Sequence, residues 1–249
     1  MSVFYEELAP KEFLERLEAC PVGYLPLGTI EWHGPHLPLG TDLFEGKDLF
    51  EKIAEKYGGI VFPPLFLGPD RITYDGEKEY VGMDNWETYL RCPKYERQQF
   101  PGSCYRVDDE TYALILKNII KQAARAGFRV LAGVGHGPST NQFAGLAPFA
   151  KEKYGVTLLT PYMGAPERKF LHDHAAKSET SNIMYFRPEL VHMDRLSPEP
   201  EDFPKGVSGD DPRTTASREY AAKTVACVID HMGRLIREAL SDSKRPDYV

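Results

Sequence analysis

The stretch DDETYALILKNIIKQAARAGFRVLAGV, Asp108 to Val134, decides the fold class. Asp108 and Asp109 suit the positive N-terminal end of a helix. Leu116, Ile119, Ile120 and Ala123 lie on one side of it, and Gly127 ends it. Arg129 to Val134 follows as a buried strand. The same alternation recurs upstream. Pro10 to Leu17 reads as an amphipathic helix with its proline near the first turn, where a missing N–H does no harm. Val22 to Gly28 is a strand that Pro26 places at an edge or near its own end. Leu43 to Tyr57 is a helix stopped by Gly58-Gly59, and Ile60 to Phe62 is a short strand closed by Pro63-Pro64. Downstream come a helix over Ser139 to Tyr154, a strand over Val156 to Leu159 and a long helical stretch from Thr214 to Leu240. The pattern predicts an α/β fold, a mainly parallel sheet with helices on both faces, and the length fits one domain or two small ones. Such sheets bind ligands at the carboxyl ends of their strands.

Composition narrows the function. A chain of 249 residues with 42% apolar residues can bury a substantial core. The net charge of -7 argues against a general nucleic-acid binder, and no apolar run approaches the ~18 residues of a membrane span. No signal-peptide pattern opens the chain, and Cys20, Cys92, Cys104 and Cys227 lack metal-type spacing, so reduced thiols in a cytoplasmic protein are expected. Gly68 to Gln99 stands apart: it is polar, rich in tyrosine and without clear periodicity. About 30 such residues in a compact domain suggest a functional lid or an oligomer contact, and Asp70 to Gln99 is expected to cover the site or a neighbouring subunit's site.

Three polar clusters carry the chemistry. Directly after the first strand, Glu31, His33, His36 and Asp42 crowd a Gly- and Pro-punctuated turn. Glu31 and His33, two residues apart, project to one side of extended backbone. The cluster is either a polar turn with Asp42 capping the next helix, or a site for zinc, manganese or iron. The second, Gly135-His136-Gly137, occupies the equivalent place after another strand, where His136 is a ligand or a structural hydrogen bonder. The third runs from His172 to Ser181. Glu179 there could merely cap a helix. The five-residue step from His174 to Glu179 turns ~140° on a helix, so both reach one site only if His174 precedes it.

These segments, with Phe100-Pro101-Gly102-Ser103 between the first and second, resemble in order and spacing the successive motifs of the creatininase (creatinine amidohydrolase) family. The resemblance spans about Pro21 to Leu196 and is most specific in the long run from Gly28 to Asp42. It implies a single domain over residues 1–249 with a creatininase-like α/β fold, a two-metal hydrolase centre holding two divalent ions (Zn, Mn or Fe), a small-molecule substrate and a ring-shaped homo-oligomer, with a hexamer as one candidate. Glu31, His33, Asp42 and His136 match family metal ligands, Asp42 being the carboxylate that bridges the ions. The chain has Pro138 where creatininase carries a further ligand glutamate, and the resemblance to relatives with glycine there, which draw this carboxylate from the Glu-Thr-Ser motif, implies Glu179 as the fifth ligand. It also has Trp32 where glutamine is usual, and Ser139 where relatives carry asparagine. Glu31, Asp42 and Glu179, with a bridging hydroxide, supply four negative charges against two divalent cations, so the centre can be neutral inside a low-dielectric pocket.

The expected activity is attack of the metal-bridging hydroxide on the carbonyl of a small cyclic substrate, cleaving an amide C–N bond, with His174 as proton shuttle. His172 is a second candidate for that role. The alternatives are a C–C bond hydrolase opening a carbocyclic inosose-type diketone, and a metal-binding family member that has lost catalysis, invited by Pro138 and Trp32.

Overall fold

A computed structural model describes residues 2–82, 104–164 and 173–242. The stretch quoted first behaves as its sequence dictates. Helix α3 (Asp109–Ala126) begins at Asp108, whose side chain accepts from the Thr111 N–H, and ends at Gly127 with φ 107°, a left-handed conformation that costs glycine little. Strand β5 (Val130–Gly135) follows and pairs in parallel with β1 (Val22–Leu27) on one side and β6 (Thr157–Leu159) on the other. Strand β2 (Ile60–Val61) lies beyond β1, giving the sheet order β2-β1-β5-β6.

Both sheet faces are covered, as expected. Alternate side chains of β1 and β5 go to opposite cores. Val22, Tyr24, Val130, Ala132 and Val134 meet Leu49, Phe50 and Ile53 of α2 (Thr41–Tyr57) and Met232 and Ile236 of α8 (Arg218–Asp242). Leu25, Leu27 and Leu131 meet Leu17 of α1 (Pro10–Ala19), Leu116 and Ile120 of α3, Phe143 of α4 (Gly137–Gly145) and Ala150 of α5 (Ala147–Tyr154). These residues are almost wholly withdrawn from water, which is why the strands read as continuous apolar runs.

Of the two places that Pro26 allows, the second holds: β1 is an inner strand, and Pro26 sits next to the strand's end. Its carbonyl, accepting from Leu65, faces the side where β2 has already stopped at Val61. Three boundaries after this strand depart from the sequence reading. The helix expected over Ser139 to Tyr154 is two helices, broken at Leu146, with Pro148 placed in the first turn of α5, where it needs no donor. The expected C-terminal helix likewise divides into α7 (Pro212–Thr215) and α8, α7 opening on the Asp211 side-chain cap. Helix α2 starts at Thr41, two residues earlier than expected, so Asp42 lies inside its first turn.

A two-stranded antiparallel hairpin, β3 (Ile72–Asp75) and β4 (Lys78–Val81), stands apart from the main sheet. The remainder of the polar segment, 83–99, lies outside the described residues. Cys20 and Cys227 are free thiols, and Cys92 is outside the described set. No helix among the described residues is long and apolar enough to cross a membrane.

Leu116, fully buried in the α3-facing core, tests the packing. Leu116→Ala is expected to lower the unfolding free energy by ~2–5 kcal/mol. Urea titration would read this as a shifted midpoint with an unchanged slope; an unchanged midpoint would place Leu116 outside the core.

Candidate metal centre

Because β1 and β5 run parallel with Leu27 opposite Gly135, the two chain segments that leave them start side by side. Gly135 has φ 148°, and a Cβ there would run into the Leu27 carbonyl, so the close approach demands glycine. The next residue, His136, donates its N–H to that carbonyl and starts α4. On the other segment, Glu31 donates its N–H to Leu39, folding 28–40 into a closed loop that places Glu31 and His33 above the sheet and feeds into α2. Helix α6 (Lys177–Phe186) completes the site from the side.

The three sequence clusters converge. His136 Nδ1 lies 3.0 Å from Glu31 Oε1 and 3.4 Å from Asp42 Oδ2. His33 Nε2 lies 3.5 Å from the same Asp42 Oδ2 and 3.6 Å from Glu179 Oε2. Among the described residues three donor sets that could each hold a cation result: Glu31–Asp42–His136 and His33–Asp42–Glu179, with Asp42 common to both, and Glu31–His33–His174. Asp42 Oδ2 and His33 Nε2 are buried without hydrogen-bond partners. Buried polar atoms left this way are costly unless something else satisfies them, and a divalent cation fits both the geometry and the donor chemistry. The reading of Asp42 as a helix cap is overturned: Gly40 occupies the N-cap position, without a side-chain bond.

His174 precedes α6, as its spacing to Glu179 requires, on a turn where Ala175 adopts φ 51°. Its ring stacks on His33 with centroids 4.4 Å apart. Nε2 is 2.6 Å from the Trp32 carbonyl, and Nδ1 is 3.6 Å from Glu31 Oε1. A carbonyl only accepts, so Nε2 carries the hydrogen and Nδ1 offers its lone pair to the site. By the same logic His33 donates from Nδ1 to the Glu31 carbonyl at 3.1 Å, leaving Nε2 free for a cation. Glu179 also accepts from the Ala175 N–H at 2.6 Å, so it closes its own turn and faces the site with one side chain. His172 lies outside the described residues.

Electrostatics follow from crowding. Burial alone would raise the carboxyls of Glu31 and Asp42, but the imidazoles around them outweigh it and hold both below the ordinary carboxylate range. Burial would lower His33, yet Asp42 and Glu179 push it up to about 10; His136 rises as well, driven by Glu31 and Asp42. Glu179 is pushed up by burial among other carboxylates. His174 is pushed the other way, down to about 4, by burial and the neighbouring His33.

The centre opens into a cavity of about 570 Å³. Its walls include Asp70 and Arg71, at the head of the segment expected to cover the site, Asn141 just after the second cluster, and Glu45 and Tyr162, which the sequence reading did not single out. Glu45 had a legible signal: it follows Asp42 by three residues on α2 and so shares its face. Its Oε1 accepts from Asn182 at 2.8 Å, and burial beside Asp42 raises it to about 8. His36 is not brought to the donor sets; its Nε2 pairs with Thr180 Oγ1 at 2.9 Å, and burial holds it at about 4.

The family model for creatininase, described as creatinine amidohydrolase, matches residues 6–83 and 90–236. The chain belongs to the creatininase family. A 3-dehydro-scyllo-inosose hydrolase from Thermotoga maritima is 24% identical over 96% of this chain and 84% of its own length. A creatinine amidohydrolase from Pseudomonas putida is 26% identical over 80% and 77%. A manganese form of creatininase shares the fold with TM-score 0.71 at 23% identity, covering 96% of this chain and 98% of that one. A Zn–Zn form of a creatininase variant does so with TM-score 0.71 at 24% identity over the same shares. Membership makes the chain a metal-dependent hydrolase that takes a divalent metal ion.

The metal-stripped protein should lose stability as pH rises. The folded values of His33 and His136 lie above the unfolded imidazole value near 6.5, so their contribution is complete below that pH. It is then lost towards about 10, where His33 releases its proton. Metal-loaded protein, whose ligand imidazoles are already deprotonated, should lack this decline. Thermal unfolding of chelated and loaded samples between pH 6.5 and about 10 checks it, and parallel curves would contradict it.

Proposed function

We propose that this chain is a binuclear-metal hydrolase acting on the carbonyl of a small cyclic substrate, with an amide C–N bond as the target. The observation that carries the reading is the position of one Asp42 oxygen within 3.5 Å of both His33 and His136, each of which has a further carboxylate at 3.6 Å or less. Glu31 and His136 with Asp42 would hold one ion, and His33 and Glu179 with Asp42 the other. Glu179 thereby supplies the carboxylate that Pro138 cannot. When bound, the ions supply a Lewis acid for the carbonyl and a strongly acidified water.

The chain's own groups supply the rest. Trp32 holds His174 by its Nε2–H, so Nδ1 faces inward with a free lone pair. That nitrogen takes the proton released by the attacking water and returns it to the leaving nitrogen as the C–N bond breaks. Stacking on His33 keeps the imidazole from turning away. A cavity of about 570 Å³ suits a small molecule.

A second reading, hydrolysis of a C–C bond in a cyclic polyol ketone, draws on the polar walls and on the Thermotoga maritima relative, which aligns with 96% of the chain. One domain spanning the chain and assembling as a homo-oligomer accompanies either reading.

Elemental analysis after reconstitution should give two ions per chain, and Asp42→Ala should lose both. One ion or fewer in the unaltered protein would end the two-metal reading. On a panel of lactams and cyclic polyol ketones, the bond cleaved decides between the two readings. His174→Ala should keep both metals and lower turnover by ~10²–10⁴. Loss of metal in that variant would make His174 a ligand instead, and full activity would remove it from the mechanism.

A further inference from the structure

Asp70 stands outside every donor set above, yet its side chain is only 3% exposed and its Oδ1 lies 3.5 Å from His136 Nε2. That nitrogen is on the far side of the ring from Nδ1, which faces Glu31 and Asp42. Among the described residues, His136 Nε2 and Asp70 Oδ2 have no hydrogen-bond partner elsewhere. The unpartnered ring nitrogen thus faces a buried carboxylate whose Oδ1 accepts from Arg71 and whose Oδ2 is still open, so a small turn of either side chain would join them.

The surrounding backbone is built to keep Asp70 there. Arg71 donates its N–H to Asp70 Oδ1 at 2.7 Å, at the point where the β3–β4 hairpin begins. At the hairpin's other end, Gly82 donates its N–H to the Arg71 carbonyl at 2.7 Å. Gly82 has φ 54°, and a Cβ there would run into Asp70 Oδ2. Both ends of the hairpin therefore close on this one carboxylate, and Asp70, Arg71 and Gly82 all line the cavity.

We propose that Asp70 is a positioning residue for the metal centre, its carboxylate accepting the Nε2–H of His136 so that Nδ1 presents its lone pair to the Glu31–Asp42 side. This rests on the two-ion reading above. A ligand imidazole whose other nitrogen is held by a carboxylate is a better donor and has a fixed orientation. The hairpin is thereby coupled to one ion and not the other: only His136 among the candidate ligands touches Asp70. Whatever shifts the hairpin, a substrate entering the cavity included, alters the hold of the Glu31–Asp42–His136 set.

Cobalt(II) titration of the metal-stripped full-length chain tests this without a substrate. Asp70→Asn, which keeps the shape and weakens the acceptor, should loosen one of the two ions about 10-fold, and Asp70→Ala about 100-fold, the span usual for outer ligand partners. The other ion should bind as in the unaltered protein, and the visible absorption of only the loosened ion should change. Gly82→Ala should act in the same direction although every ligand and Asp70 itself remain. Unchanged affinity and spectrum for both ions in a folded Asp70→Asn protein would overturn the assignment. If Asp70→Ala fails to fold, Asp70→Asn decides alone. If the unaltered chain holds a single ion, the two-ion reading fails on its own; the affinity of that ion in Asp70→Asn still decides the role of Asp70, weakening supporting it and constancy overturning it.

Discussion

Two parallel strands held in one register carry the rest of the molecule's organisation. With Leu27 opposite Gly135, the chain leaving β1 and the chain leaving β5 emerge as neighbours, and the His136 N–H extends the ladder by one further bond to the Leu27 carbonyl. A carboxylate from one segment and an imidazole from the other then meet at 3.0 Å with no long-range adjustment. Helix α2 follows the first loop at once and presents Asp42 from its first turn, towards the same point. The site is a consequence of strand order, and the helices only complete it.

Much of this was legible in the sequence because the relevant signals are local. Helix α3 announces itself through a capping aspartate, a one-sided apolar stripe and a terminal glycine, and each device appears where the pattern puts it. The condition that His174 must precede its helix if it shares a site with Glu179 is also local geometry, and α6 begins at Lys177. The donor residues were visible for a different reason: carboxylates and imidazoles clustered beside glycine and proline just after apolar strands have few structural uses.

What escaped was set by tertiary context. Pro26 allows an edge or a strand's end, and the choice between them depends on where the neighbouring strand stops, which is Val61 of β2. The break at Leu146 is a decision between two weak local preferences that packing settles. Asp70 carries no sequence signal of its own, since an aspartate after a Gly-Pro pair reads as a turn residue. Only the arrival of His136, 66 positions later in the chain, gives it a buried partner. Glu45 differs, because its three-residue spacing from Asp42 on α2 is a local signal.

Helices α2 and α6 are lashed together away from the candidate metal centre. Arg187 grips Asp48 with two bonds of 2.6 and 2.7 Å, and Asn182 donates to Glu45. The loop that precedes α2 adds His36 on Thr180. A bidentate guanidinium–carboxylate pair with one partner nearly buried is among the stronger polar contacts a protein makes. These ties join two helices that supply carboxylates to the same centre and are more than 100 residues apart in sequence. In native-state hydrogen exchange their amides would form one cooperative unit, opening together and at one free energy, instead of fraying helix by helix.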